Sequence, residues 1–186
     1  MVVEAITTPR LILRTFTEED IDPMVRILGG KDVLRYFPRT DPPPRDRVQK
    51  MIVGLLKHWE EHGYGLWAVE SRSTGDLMGR CGLQILPETE EVEVDFILGK
   101  RFWGQGFATE AGRASLRYAF EQLGLERVVG LAHIENKASQ HVLEKLGMEL
   151  LEQRQFWGID CYHYAIERSA YDRESALWGS TAQWVV

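Results

Sequence analysis

Two parts of this chain carry residue types and spacings able to do chemistry, and the more informative is a glycine-rich turn. Arg101, Phe102, Trp103, Gly104, Gln105, Gly106, Phe107 and Ala108 read R-x-x-G-x-G-x-A. Ahead of it Val92, Val94, Phe96 and Leu98 alternate with Glu93, Asp95 and Ile97, the period of a half-buried strand. Behind it Ala108, Ala111, Ser115, Ala119 and Leu123 recur at helical spacing up to Gly124, where a C-cap belongs. A strand, a glycine turn and a helix start aim backbone N–H groups and the positive end of the helix dipole at one point, which suits a phosphate. Glycines let the ligand approach closely and permit positive φ. The P-loop pattern fails here, because Gln105 follows Gly104 where a lysine is needed. The dinucleotide fingerprint fits weakly, because Thr109 replaces its third Gly or Ala. Glu93 and Asp95, two apart on the strand, share one face and form a pair of proton acceptors, acting directly or through water. If both enter a cleft, their repulsion raises one pKa toward neutrality; otherwise they are the solvated face of an amphipathic strand.

A second spacing is weaker. His58 and His62 lie four apart in H-x-x-E-H, a zinc-peptidase pattern. The helix carrying them stops at Gly63, however, and histidines near a helix C-terminus are favoured by the dipole alone. The sequence is therefore read as carrying no metal.

The R-x-x-G-x-G-x-A run resembles the acetyl-CoA pyrophosphate loop of the GNAT superfamily of N-acetyltransferases. Phe102-Trp103 before the glycines and Ala108-Thr109-Glu110-Ala111 after them are similar to the RimJ/RimL-like branch, which acetylates the N-termini of ribosomal proteins. The order of elements extends the resemblance over residues 9–168, although its specific motifs lie only in residues 101–111 and 136–147. It implies an α/β fold: a mixed, mostly antiparallel twisted central sheet of six to seven strands flanked by helices, with acetyl-CoA at a splayed central strand pair. It implies acetyl-CoA as cosubstrate, its pyrophosphate on the backbone of residues 101–106 with Arg101 adding charge. Phe102, Trp103, Gly104, Gln105, Gly106, Ala108 and Thr109 then belong to the cosubstrate site, and Phe96, Ile97 and Leu98 pair with the pantetheine arm like an added strand. Asn136 and Ser139 resemble the N-x-x-S pair of that branch, Asn136 bonding the pantetheine amide and Ser139 serving as acid to the departing thiolate. Capping alone also accounts for an Asn before a helix and a Ser in its first turn. Glu93 falls where the branch carries a Glu, and Asp95 where it usually carries a small residue.

The remaining elements must position these groups. Strands are predicted at residues 10–16, 66–71, 77–86, 127–134, 148–156 and 161–168, with turns at 73–76 and 157–160. Helices are predicted from Thr17 to about Gly29, over residues 45–62 and from Asn136 to Gly147. A chain of 186 residues is read as a single domain, 1–168, with a C-terminal tail, 169–186. That tail carries Trp178 and Trp184, so it either packs back on its own domain or reaches a second subunit of a homodimer. A net charge of −6 speaks against nucleic acid and suits a cationic acceptor such as an amine. The absence of a signal peptide or membrane-length apolar run, with two widely separated cysteines, reads as a cytoplasmic protein.

The pKa of the acceptor separates its candidates. At pH 7 a neutral protein α-amine costs about 1.4 kcal/mol and a neutral lysine about 4.6 kcal/mol. The expected activity is acetyl transfer to a primary amine by direct attack in a ternary complex, with a protein N-terminus as first choice of acceptor. The alternatives are a small amine, such as a polyamine or aminoglycoside, and a non-catalytic CoA-binding regulator.

Overall fold

The computed structural model describes residues 5–178 and 183–185. In chain order the elements are β1 (Ala5–Thr7), β2 (Leu11–Arg14), α1 (Ile21–Leu28), α2 (Arg45–His62), β3 (Leu66–Ser71), β4 (Leu77–Ile85), β5 (Val92–Leu98), α3 (Phe107–Arg117), β6 (Arg127–His133), α4 (Lys137–Lys145), β7 (Glu149–Phe156), β8 (Ile159–Glu167), α5 (Arg168–Ser175) and β9 (Gln183–Val185). The strands form one sheet in the order β7-β8-β6-β5-β4-β3-β2-β1-β9, nine among the described residues where six to seven were expected. The additions are two three-residue strands at one edge, β1 and β9, too short to show a period in sequence.

Helices cover both faces. On one side α3, α4 and α5 close over a core containing Val94, Leu116, Phe120, Leu143 and Tyr164. On the other, α1 and α2 supply Met24, Val48 and Ile52 against Ala68 and Ile97. The prolines before α2 suit a helix start, Pro44 taking the N-cap place at φ −66°, and Gly63 stops the helix in the left-handed region at φ 74°. The helix expected to run to Gly124 is α only through Arg117; Tyr118–Gln122 form a π turn that buries Ala119 and Phe120 together. The start of the tail packs back on the domain. Tyr171 of α5 stacks on Phe120 at 4.4 Å between ring centroids, and Trp178 meets Tyr171 edge-on at 5.7 Å. Residues 179–182 and 186 of that tail lie outside the described residues.

What positions the site is a fault in the sheet. The β4–β5 ladder is continuous from Ile85↔Val92 to Gly79↔Leu98. The parallel pair β5 and β6 meets only at Glu93↔Val129, and beyond it the two strands part. The β6-facing edge of β5 from Val94 onward therefore has no ladder partner, although backbone polar groups are normally paired when buried.

Candidate active site

The parting of β5 from β6 opens two clefts that meet at the middle of the sheet. The first, about 560 Å³, runs from Phe96, Ile97 and Leu98 past the loop before α3 to the start of α4. The second, about 670 Å³, lies over the Glu93 and Asp95 face, roofed by residues 34–43, the start of α2 and the β7–β8 turn. Tyr36, Phe37, Phe96, Ile97, Asn136 and Ser139 line both.

The loop of the first cleft is held by its backbone conformation. Gly104 has φ +71° and Gly106 has φ +81°, a region other residues rarely enter, and a Cβ on Gly104 would meet nothing. The glycine there is required by conformation rather than by space. Gly106 stands at the N-cap of α3. From behind, Arg10 donates to the Gln105 carbonyl at 2.9 Å, is clamped to Glu110 at 2.6 Å and stacks over Phe107. Trp103 donates its indole N–H to the Leu98 carbonyl at 2.7 Å, tying the loop to the end of β5. Phe102, Trp103, Gly104, Gly106, Ala108 and Thr109 line the cleft. Arg101 and Gln105 are not among its lining residues: Arg101 reaches Asp76 at 3.1 Å and covers the Phe102 ring, and the Gln105 amide donates back to the Arg101 carbonyl.

At the floor of the second cleft, Glu93 is 5% exposed, so the strand is not amphipathic in the simple sense. Gln84, its neighbour across the β4–β5 ladder, donates to Glu93 Oε2 at 2.8 Å. Burial is the largest cause pushing the Glu93 carboxyl well above the usual carboxylate range, and the Asp95 charge adds to it. The Gln84 amide, the Leu131 backbone N–H and the Arg80 charge pull the other way. Repulsion from Asp95 acts in the expected direction, but desolvation is the larger cause. Asp95 has its own partner, Arg80 Nη2 at 2.9 Å, with both side chains roughly seven-eighths buried. The contact is not aligned as a hydrogen bond, and Arg80 Nε stays buried without a partner among the described residues. Sequence reasoning missed Arg80; a charge on the otherwise largely apolar strand LMGRCGLQI is the signal that could have found it. Sequence could not say which acid it meets, because a loop of unknown geometry separates the two strands.

Where the clefts join, Asn136 caps α4 with both ends of its amide. Its Oδ1 accepts from the Ser139 backbone N–H at 3.2 Å and its Nδ2 donates to Ser139 Oγ at 2.9 Å. Ser139 Oγ thus has an acceptor site filled and its own O–H free to donate. Buried Gln140 bonds the His133 and Ile134 carbonyls, locking α4 onto the end of β6.

Residues 10–149 match the Acetyltransferase (GNAT) domain family. The chain belongs to the GNAT acetyltransferases. It is 30% identical to YkkB of Bacillus subtilis over 90% of this chain and 96% of that one. It is 29% identical to the N-acetyltransferase p20 of Bacillus licheniformis, over 91% of this chain and 99% of that one. A GNAT-family acetyltransferase structure from Bacillus anthracis superposes with a TM-score of 0.76 at 22% identity, covering 89% of this chain and 99% of that chain.

As a GNAT enzyme the chain is an N-acetyltransferase using acetyl-CoA. The first cleft fits that cosubstrate: two positive-φ glycines without a Cβ, a helix start behind them and a free strand edge beside them. Several lining residues were not among the predicted site residues. Tyr36 lines both clefts and packs on His133 at 5.1 Å; Lys137 and Lys145 of α4 add positive charge to the first cleft, and Trp157 lines the second. These come from loops and helix turns remote in sequence, where only the folded chain brings them together. His58 and His62 lie outside both clefts, packed ring to ring at 4.4 Å.

Proposed function

We propose that this enzyme acetylates a primary α-amine, a protein N-terminus before a small amine, by direct attack within a ternary complex. The carrying observation is Glu93, buried at the floor of the second cleft with its pKa raised. A base works best when its pKa lies near the operating pH, and a raised carboxyl is matched to an ammonium of pKa near 8 far better than to one near 10.4. Acetyl-CoA supplies the acetyl group as an activated thioester in the first cleft. Glu93 takes one proton from the acceptor ammonium, with Asp95 and Arg80 fixing the charge around it. The neutral amine forms the new C–N bond at the thioester carbonyl, and as the C–S bond breaks the Ser139 hydroxyl protonates the leaving sulfur and regains a proton from the second one the nitrogen sheds. Asn136 orients that hydroxyl. Phe96, Ile97 and Leu98 present the free strand edge to the pantetheine arm, and the 104–106 backbone faces the pyrophosphate.

Thiol release from acetyl-CoA, measured with α-amine peptides, lysine peptides, polyamines and aminoglycosides, tests the reading. Turnover confined to α-amines and lost in Glu93→Gln is the expected result. Turnover only with lysine peptides or polyamines would replace the acceptor, and acetyl-CoA binding without turnover on any amine would leave a regulator.

A further inference from the structure

The second cleft also speaks to what the acceptor carries besides its amine, an inference that rests on the acetyl-transfer reading above. Acids outnumber bases in this chain, 28 to 22, and half of its sixteen arginines, Arg101 and Arg117 among them, pair with a carboxylate. Arg10, Arg14, Arg45, Arg80, Arg127 and Arg168 each pair with a carboxylate. Arg39 and Arg47, exposed on the rim of the second cleft, make no ion pair or side-chain hydrogen bond to any described residue. They are also placed by stiff backbone. Pro38 precedes Arg39, Pro42 to Pro44 fix φ between the two, and Arg47 stands in the first turn of α2. The acids facing them are few: Asp41 on the same rim, Asp95 already held by Arg80, and Glu93 at the floor, so Arg39, Arg47 and Arg80 offset all three even when each is ionised. The rim and floor together are neutral to positive, although the whole chain is acidic.

We infer that the acceptor carries a carboxylate close to its amine, bound by Arg39 and Arg47 as Glu93 receives the ammonium. A polyamine or an aminoglycoside brings several ammonium groups to a cleft whose one unpaired rim carboxylate among the described residues is Asp41, a poor match. Two sources offer the right chemistry: a free amino acid or a peptide with an acidic side chain just after its N-terminus. Arginine suits either, because its planar fork binds carboxylates in a bidentate way.

The test compares otherwise identical peptides bearing Glu, Gln or Lys at the second position, alongside free glutamate, by thiol release from acetyl-CoA. The Glu peptide or free glutamate is expected to exceed the Gln peptide by about tenfold in kcat/KM, through KM, and the Lys peptide to be poorest. Which acidic acceptor is faster identifies the source. In the Arg39→Gln/Arg47→Gln double variant that ratio should collapse to about one, and in Arg47→Glu the Lys peptide should overtake the Glu peptide. Acetyl-CoA affinity, measured calorimetrically, reports that each variant is folded. Turnover with no preference for the acidic acceptors, or a preference the double variant leaves intact, overturns this inference and spares the acetyl-transfer reading. Absence of turnover on every amine overturns both.

Discussion

The two clefts of this enzyme are built by different means, although they share a wall. The cosubstrate cleft is largely backbone: positive-φ glycines, a helix start, and a strand edge left bare where β5 leaves β6. The second cleft, the proposed acceptor cleft, is largely side chain, assembled from loops, the start of α2, four strands and a hairpin turn. Backbone recognition suits a ligand common to many enzymes, since amides bind phosphate or pantetheine whatever surrounds them. Side-chain recognition can change residue by residue without disturbing the fold. A change confined to one cleft should therefore leave the other unmoved.

The largest effect is expected from Glu93→Gln. Loss of the base should lower kcat/KM by about 10²–10³-fold while acetyl-CoA binding is nearly unchanged, read by thiol release and calorimetry. Stability should move in the opposite direction. The folded state holds the Glu93 proton more tightly than the unfolded state, so between the ordinary value of 4.5 and its raised value stability falls as pH rises. Gln carries no such cost. Its Tm should exceed wild type at pH 8 and the gap should close as pH falls toward 4.5, in scanning calorimetry at both pH values. An inactive variant that is no more stable at pH 8 would mean that Glu93 is not strained by burial.

The contrast between the clefts also decides what could be read before folding. The loop of residues 101–108 announced itself because backbone recognition writes a local signature, glycines at fixed spacing between a strand and a helix. The element order followed from periodicity, and α2 runs over the residues its apolar stripe marks out. The acceptor cleft left almost no such trace. Arg80 and Asp95 are fifteen positions apart, and Tyr36 and Trp157 farther still, so their meeting depends on registers and loop paths that no local pattern fixes. Strands β1 and β9 were missed because three residues cannot show alternation. Even Glu93 was legible as a candidate but not as buried, because a charge on an alternating strand ordinarily faces water.

The Arg80–Asp95 pair tests the acceptor cleft from beneath. Arg80→Met should destabilise by about 3–5 kcal/mol, because it strands a buried carboxylate, and a companion Asp95→Leu should recover much of that loss. Asp95→Asn keeps the volume and removes the charge that raises the Glu93 pKa, so the acidic limb of the pH–rate profile should shift to lower pH. Denaturant unfolding reads the first effect and the profile the second. An unmoved limb in Asp95→Asn would separate this pair from the base.

A smaller effect, confined to the other cleft, is expected from Gly104→Ala. Nothing obstructs the new Cβ, so the cost is that of holding alanine at φ +71°, on the order of 1 kcal/mol. If the loop relaxes to avoid this strain, acetyl-CoA affinity should fall by about fivefold with the acceptor KM little changed. A calorimetric Kd equal to wild type would show that the loop tolerates alanine and that its glycine serves another end.

The smallest effect lies at the mouth of the acceptor cleft. Phe156 pairs with Ile159, so the β7–β8 hairpin turns in two residues, Trp157 at φ +50° and Gly158 at φ +79°. That is the signature of a type I′ turn, whose first place is normally Asn, Asp or Gly rather than a bulky aromatic. A tryptophan there costs about 1 kcal/mol of strain and leaves a ring 45% exposed, facing the cleft. Trp157→Asn should therefore raise Tm by about 2–4 °C, since relief of that strain outweighs the little packing an exposed ring loses. If the ring contacts the acceptor, the same change should raise the acceptor KM several-fold and leave the acetyl-CoA Kd alone. A gain in Tm with unchanged KM would reduce Trp157 to a strained turn residue; a fall in Tm would show that the ring supports the hairpin itself. Strain without a return in binding would also weaken the division drawn between the clefts, because it is at such side chains that an acceptor cleft departs from what the backbone alone prefers.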